Sequence, residues 1–319
     1  MERDGTKPTV VIHTNDRQMV AALVSAHSLK SRSKNPGLFD VRLLRLEETP
    51  HLYKRHKQRF IWFDHDPPSV WNRHNSQSFA PLRRMVPALL GFQGRALVID
   101  PDIFAIGDVY ELLSRDMGGK AILCRALPQS RDGTRRYSTS VMLLECSKLT
   151  HWQWQREIDE IFSGRLKMGR WLWLLDEPPE LIGSLEEEWN HFDTLNEHTK
   201  LLHTTKTLTQ PWRTGLPADH DGYAQADTDW REALKRGWRQ MVARRDRHQP
   251  HPDPRQEQLF FALLSECLEQ GSITPRFLRR AIRKNYLRKD AFALLAHRDQ
   301  LATLLGDITA ARSATKPTP

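Results

Sequence analysis

The chain has 319 residues, 39% of them apolar, with ten tryptophans and a formal net charge of +9. That content suffices for one large core, with or without a smaller appendage, and excludes a wholly disordered chain. No apolar run approaches the ~20 residues needed to span a bilayer, so a soluble chain is expected. The charge leaves three partner classes open: nucleic acid, an anionic membrane surface and an anionic small substrate.

Met1 to Pro8 contains no apolar h-region, so no secretory signal is expected there. Cys124, Cys146 and Cys267 lack metal-ligand spacing and cannot all pair, which fits a reduced, cytoplasmic setting. Thr9 to Thr14 is an apolar run ended by Asn15-Asp16, and helical spacing follows from Met19 to Leu29. This reads as the first strand and helix of an α/β domain. Ligands of such sheets bind beyond the carboxyl ends of strands, which puts His13, Thr14, Asn15 and Asp16 where a nucleotide base would be read. Asn15 and Asp16 have a second reading, as caps of the helix.

A second strand is expected over Val41 to Leu46. Asp64-His-Asp66 is followed at once by Pro67-Pro68, which stops any regular element, so the segment reads as a loop. Arg83 to Leu90 reads as a basic-faced helix, and a glycine turn leads from it into Arg95-Ala-Leu-Val-Ile. That run delivers Asp100 and Asp102, one residue apart, at the end of a buried strand. Two such carboxylates repel each other and lose hydration, and a divalent cation compensates both. Hard oxygen ligands suit Mn²⁺ or Mg²⁺. Turn-forming aspartates are the competing reading.

Beyond Gly107-Asp108 a short helix is expected. Strands follow over Lys120 to Arg125 and Tyr137 to Glu145, separated by a turn-rich loop from Arg131, and a tryptophan-rich helix runs from about His151 to Phe162. Asp176-Glu177 precedes a proline pair and reads either as a solvated turn or as part of a site. Leu201-Leu202-His203 ends an apolar segment, and Gln210-Pro211-Trp212 comes seven residues later.

The order of helix, glycine turn, strand, Asp-x-Asp and short helix resembles the nucleotide-sugar glycosyltransferases of the GT-A fold, most closely family 8. The likeness covers residues 9 to 213. It implies that Asp100, Asp102 and His203 bind Mn²⁺ (or Mg²⁺) against the diphosphate of a nucleotide sugar, a UDP-sugar before a GDP-sugar. It also implies that Arg83 touches the donor and that the end of the first strand contacts base and ribose. The family's Asn-x-Gly-Val is Ser138-Thr139-Ser140-Val141 here, which places Ser138 and Ser140 at donor or acceptor with shorter reach. Its Asp-Gln-Asp becomes Asp176-Glu177 and prolines, with Trp189-Asn190 following at the expected remove. Asp176 and Glu177 would then face donor sugar and acceptor hydroxyl. Its His-x-x-Gly-x-x-Lys-Pro-Trp lacks the glycine, is one residue longer and carries Gln210 for the lysine, whose diphosphate contact would pass to Lys206 or Arg213. Loss of such a fixed cation is worth ~2–4 kcal/mol where similar stabilisation has been removed elsewhere.

The resemblance implies a hexosyl transfer that retains anomeric configuration, by same-face attack or with Glu177 as nucleophile. The acceptor would be a glycan, glycolipid or small molecule. An inactive, glycosyltransferase-like scaffold is the alternative that the missing Gly and Lys favour. No helix–turn–helix, zinc-finger or aromatic RNA-binding signature accompanies the charge, so nucleic acid is not expected as partner.

Composition shifts between Leu216 and Gln225, and helical spacing follows over Trp230 to Arg245 and Gln256 to Glu269. Residues 1–222 are therefore expected to form the transferase domain, 223–309 a basic helical extension and 310–319 a disordered tail. Within the extension, Arg279, Arg280, Arg283 and Lys284 share one helical face and Phe277, Leu278, Ile282 and Leu287 another. The basic face reads as a solvated surface or as a peripheral contact with the inner face of a membrane.

Overall fold

The computed structural model describes residues 7–129, 133, 135–218 and 247–295. The expected helix over Trp230 to Arg245, the boundary at 222, the start of the loop at Arg131 and the tail from Ala310 lie outside them. β1 (Thr9–Thr14) is buried along its whole length, with Val10 to Ile12 as its apolar centre. β2 (Asp40–Arg45) pairs with it in parallel. A short hairpin of β3 (Arg59–Phe60) and β4 (Ser69–Val70) brackets the segment from Ile61 to Pro68, which forms no regular element.

β5 (Arg95–Ile99) lies parallel to β1 on its other side, with Ile12 paired to Ile99. β6 (Ile103–Ala105), β7 (Ile122–Leu127), β8 (Arg136–Glu145), β9 (Ile182–Ser184), β10 (His191–Phe192) and β11 (Leu201–His203) complete the strands among the described residues. Six of them form a mixed sheet in the order β2-β1-β5-β8-β7-β9, in which β8 runs antiparallel to both neighbours. A second sheet, β10-β11-β6, pairs His203 with Ile103. This is the mixed α/β architecture expected, with helices following the last strand.

The Arg83 segment differs from its expectation. It is a 3₁₀ turn, Ala80–Met85, followed by a one-turn helix, Val86–Leu89. Pro87, within the expected span, removes a backbone donor, which keeps a continuous helix from forming. Gly91 and Gly94, both at φ +63°, turn the chain into β5. Asp108 caps the Val109–Ser114 helix by accepting the Tyr110 N–H.

One core cluster lies on one side of the sheet and includes Trp71, Trp152, Trp154 and Trp171. Another joins the Met19–Ser31 helix to the Pro254–Glu269 helix through Val20, Val24, Phe104, Trp212 and Phe260. Trp212 and Phe260 have ring centroids 4.9 Å apart. Among the described residues, no helix is long and apolar enough to cross a membrane.

All three cysteines are buried and unpaired. Burial pushes the Cys124 and Cys146 thiols up to about 12 and the Cys267 thiol up to about 11. At pH 8 an aromatic disulfide reagent is accordingly expected to modify none of them in the native protein and all three after unfolding in guanidinium.

Candidate active site

Strand pairing builds the site. One residue past the paired Ile12 and Ile99 come His13 and Asp100, and the Asp100 N–H donates to the Ser140 carbonyl at 3.0 Å. The β11–β6 register brings His203 beside Ile103, next to Asp102, and Thr204 clamps the turn by donating N–H and Oγ1 to the Asp102 carbonyl. Asp100, Asp102 and His203, each under 9% exposed, thereby place ligand atoms within 4.8 Å of one another.

The two carboxylates have unlike surroundings. Arg83 Nη2 reaches both oxygens of Asp100, at 2.7 and 2.6 Å, while Nη1 donates to Thr139 Oγ1 at 2.9 Å. His13 Nε2 lies 2.7 Å from Asp100 Oδ1. Burial would raise the Asp100 carboxyl, but the Arg83 charge and the hydrogen bond to His13 outweigh it and hold that group well below the usual carboxylate range. Burial dominates for His13 and lowers its imidazole in spite of Asp100.

Asp102 has no such guanidinium. Its Oδ2 accepts from Gln210 Nε2 at 2.9 Å, and its Oδ1 is buried without a hydrogen-bond partner. His203 Nε2 faces that oxygen at 3.5 Å, too far for a hydrogen bond. The other imidazole nitrogen, Nδ1, is 2.9 Å from Asn190 Oδ1. Because Asn190 Nδ2 donates to Ser138 Oγ and Ser140 Oγ, both at 3.0 Å, its Oδ1 is the acceptor. A proton then sits on His203 Nδ1, and in the neutral imidazole Nε2 turns a lone pair toward Asp102. Two electron-pair donors facing each other in a buried site call for a cation. Two carboxylates with one imidazole fit Mn²⁺ or Mg²⁺.

Asn190→Ala removes the acceptor that sets this tautomer. Loss of such an outer partner typically costs ~10–100-fold in metal affinity. A loss in that range is expected in Mn²⁺ titrations followed by electron paramagnetic resonance.

Asn15 is 2% exposed: its Nδ2 donates to the Asn75 carbonyl and to Ser78 Oγ, both at 3.0 Å, and its Oδ1 accepts from the Arg17 and Gln18 N–H groups. It thus ties a loop to the end of β1 and closes the turn before the Met19–Ser31 helix. Thr14 Oγ1 donates to the Asn15 carbonyl, and Asp16 pairs with Arg45 at 2.8 Å. Asp176 is exposed and paired with Arg170. Glu177 is buried, with Oε1 2.7 Å from Arg84 and 2.9 Å from the Trp152 indole nitrogen, and Oε2 2.9 Å from His151. Among the described residues, no hydrogen bond or ion pair connects Asp176 or Glu177 to the Asp100–Asp102–His203 group. Lys206 is exposed, and Arg213 is buried, its guanidinium pushed down to about 10 by burial and then by Arg17.

Asn190, Thr139 and Gln210 join the site without having been singled out as site residues. Trp189-Asn190 is visible as a motif, but a neutral amide carries no sign of which imidazole it will orient.

No family model matches the chain, and no curated protein matches it. Solved structures do. The chain is similar to a galactosyltransferase, LgtC, in complex with donor and acceptor sugar analogs, at 13% identity and TM-score 0.45, over 64% of this chain and 89% of that one. It is similar to mouse xyloside xylosyltransferase 1 at 12% identity and TM-score 0.40, over 63% and 98% of the two chains. It is also similar to the glycosyltransferase GlyE of Streptococcus pneumoniae, at 13% identity and TM-score 0.43, over 78% and 66%. The mixed α/β layout, with Asp100 and Asp102 just past the end of β5, is the layout expected from the sequence. Likeness this distant says nothing of substrate, and the side chains must.

Proposed function

We propose that this chain is a nucleotide-sugar glycosyltransferase whose Asp100, Asp102 and His203 hold a divalent cation, Mn²⁺ or Mg²⁺. The observation that carries the reading is the buried, unpartnered Asp102 Oδ1 facing the lone pair of His203 Nε2. When bound, such a cation neutralises charge on the departing nucleoside diphosphate. Arg83, held by Asp100 and Thr139, is the fixed positive charge beside the ligand. His13 packs against the Asp100–Arg83 pair and keeps water from it. Ser138 and Ser140 hold Asn190, and Asn190 holds the His203 tautomer. Because Glu177 has both oxygens engaged, retention by same-face attack suits the site better than a Glu177 nucleophile. UDP-sugar is the donor favoured, and the acceptor is a hydroxyl of a glycan, glycolipid or small molecule.

One observation favours an inactive scaffold: Gln210 stands where a lysine would meet the diphosphate, and its amide is spent on Asp102. Calorimetric titration of UDP, then GDP, with and without Mn²⁺ tests the donor site on which the transferase reading rests. Metal-dependent binding of one nucleotide is the expected result and names the base. A folded protein that binds neither would sink the transferase reading.

A further inference from the structure

Between the start of the Met19–Ser31 helix and the Pro275–Arg283 helix lies a cavity of about 330 Å³. Its apolar wall is formed by Met19, Val20 and Leu23 from the first helix and by Phe277 and Ala281 from the second. Val20 and Ala281 are buried, whereas Arg280 and Lys284, one and three residues from Ala281, are exposed. The depth of the cavity is therefore apolar and its rim cationic.

The charges on that rim are unevenly matched. Arg45, Arg280 and Lys284 line the cavity with one carboxylate, Asp16, and Arg45 is also held by Glu48 at 2.7 Å, so the excess positive charge belongs to Arg280 and Lys284. Asp16 is already engaged by Arg45 at 2.8 Å and lies 4.0 Å from Lys284. Among the described residues no ion pair involves Arg280. Tyr286, also in the lining, has Arg17 at 5.6 Å and Lys284 at 5.5 Å from its ring centroid, which brings a further cation to the same edge.

A small polar anion would pair with the rim and leave the apolar wall wet. A neutral apolar molecule would cover the wall and leave Arg280 without a counter-charge. A molecule with an anionic head and an apolar chain satisfies both parts at once. We propose that this cavity binds a phosphate-headed amphiphile with a single aliphatic chain, the phosphate at Arg280 and Lys284 and the chain against Leu23 and Phe277. The proposal stands on the cavity alone and does not depend on the transferase reading.

Decyl phosphate, titrated calorimetrically into the full chain below its micellar concentration, is the probe, with inorganic phosphate and decyl maltoside as controls for its two halves. Decyl phosphate is expected to bind about tenfold or more tightly than either control. Two variants separate the halves: Leu23→Trp fills the cavity, and the exposed pair Arg280→Glu with Lys284→Glu reverses its rim. Each is expected to weaken decyl phosphate by about tenfold or more with its thermal unfolding unchanged. Binding that survives Leu23→Trp, or that inorganic phosphate matches, overturns the proposal.

Sedimentation with phosphatidylglycerol vesicles identifies the source of the ligand. Adsorption that Leu23→Trp abolishes makes it a bilayer lipid, and decyl phosphate binding without adsorption makes it a soluble phosphoamphiphile. Adsorption without decyl phosphate binding would mean that the basic helix face acts alone, and the cavity is then no site. UDP titrated into the same variants reads the nucleotide site separately, so each proposal can fail without the other.

Discussion

Asp102→Asn is expected to weaken Mn²⁺ binding by roughly 100-fold or more, since losing an outer-shell partner alone already costs ~10–100-fold. The substitution is nearly isosteric, and the Gln210 amide can still donate to the remaining carbonyl oxygen. What disappears is a formal negative charge at a buried position whose Oδ1 has no hydrogen-bond partner. In the metal-free protein that charge costs desolvation energy without a guanidinium to offset it. Metal affinity should therefore collapse while the thermal stability of the metal-free variant holds or rises. Asp100 behaves oppositely, because Asp100→Asn would strand Arg83, which reaches both oxygens of that carboxylate. Unaltered Mn²⁺ binding in Asp102→Asn, measured calorimetrically, would remove Asp102 from the site.

The second large effect lies away from Asp100, Asp102 and His203. Arg84→Met should destabilise the fold by ~3–5 kcal/mol, the range for breaking a buried ionic group by removing one partner. Arg84 is 5% exposed and meets two buried carboxylates, Glu157 at 3.3 Å and Glu177 at 2.7 Å. Its guanidinium carbon sits 4.3 Å from the ring centroid of Trp152 and 5.2 Å from that of Trp171, and the indoles of both donate to the same carboxylates. Removing the arginine leaves the two carboxylates, among the described residues, with indole N–H groups and the half-exposed His151 as partners. A compensating triple variant, Arg84→Met with Glu157→Leu and Glu177→Leu, should recover only part of the loss, because two indole N–H groups then lack acceptors. Urea unfolding measures both. A change below ~1 kcal/mol for Arg84→Met would show that the group contributes no more than an ordinary surface pair. Arg84 also follows Arg83 in the same 3₁₀ turn, so the ionic group anchors the segment that carries the Asp100 partner.

Much of this was determined by the sequence alone. The unbroken apolar run Thr9 to Thr14 became β1 with those bounds, and Arg95 to Ile99 became the strand that ends at Asp100. Runs buried on both faces announce themselves through their apolar centres, Val10 to Ile12 and Ala96 to Ile99 here. The Pro67-Pro68 pair marked its segment as a loop for an equally local reason. The approach of His203 to Asp100 and Asp102 was an inference from motif order, and the β11–β6 register supplies its geometry.

Tertiary structure decided the rest. Gln210 reaches Asp102 across 108 positions, and Asn190, from the turn just before β10, orients His203 across 13. Glu177 looks like a site carboxylate in the sequence, yet its partners, Arg84, His151 and Trp152, come from two other segments. Whether a carboxylate is spent on an ion pair or left open to a ligand depends on which groups surround it in three dimensions, since burial charges every unpaired oxygen a desolvation cost that only a neighbour can offset. Local patterning specifies strands and turns, but that neighbour is chosen by the packing of segments far apart in the chain.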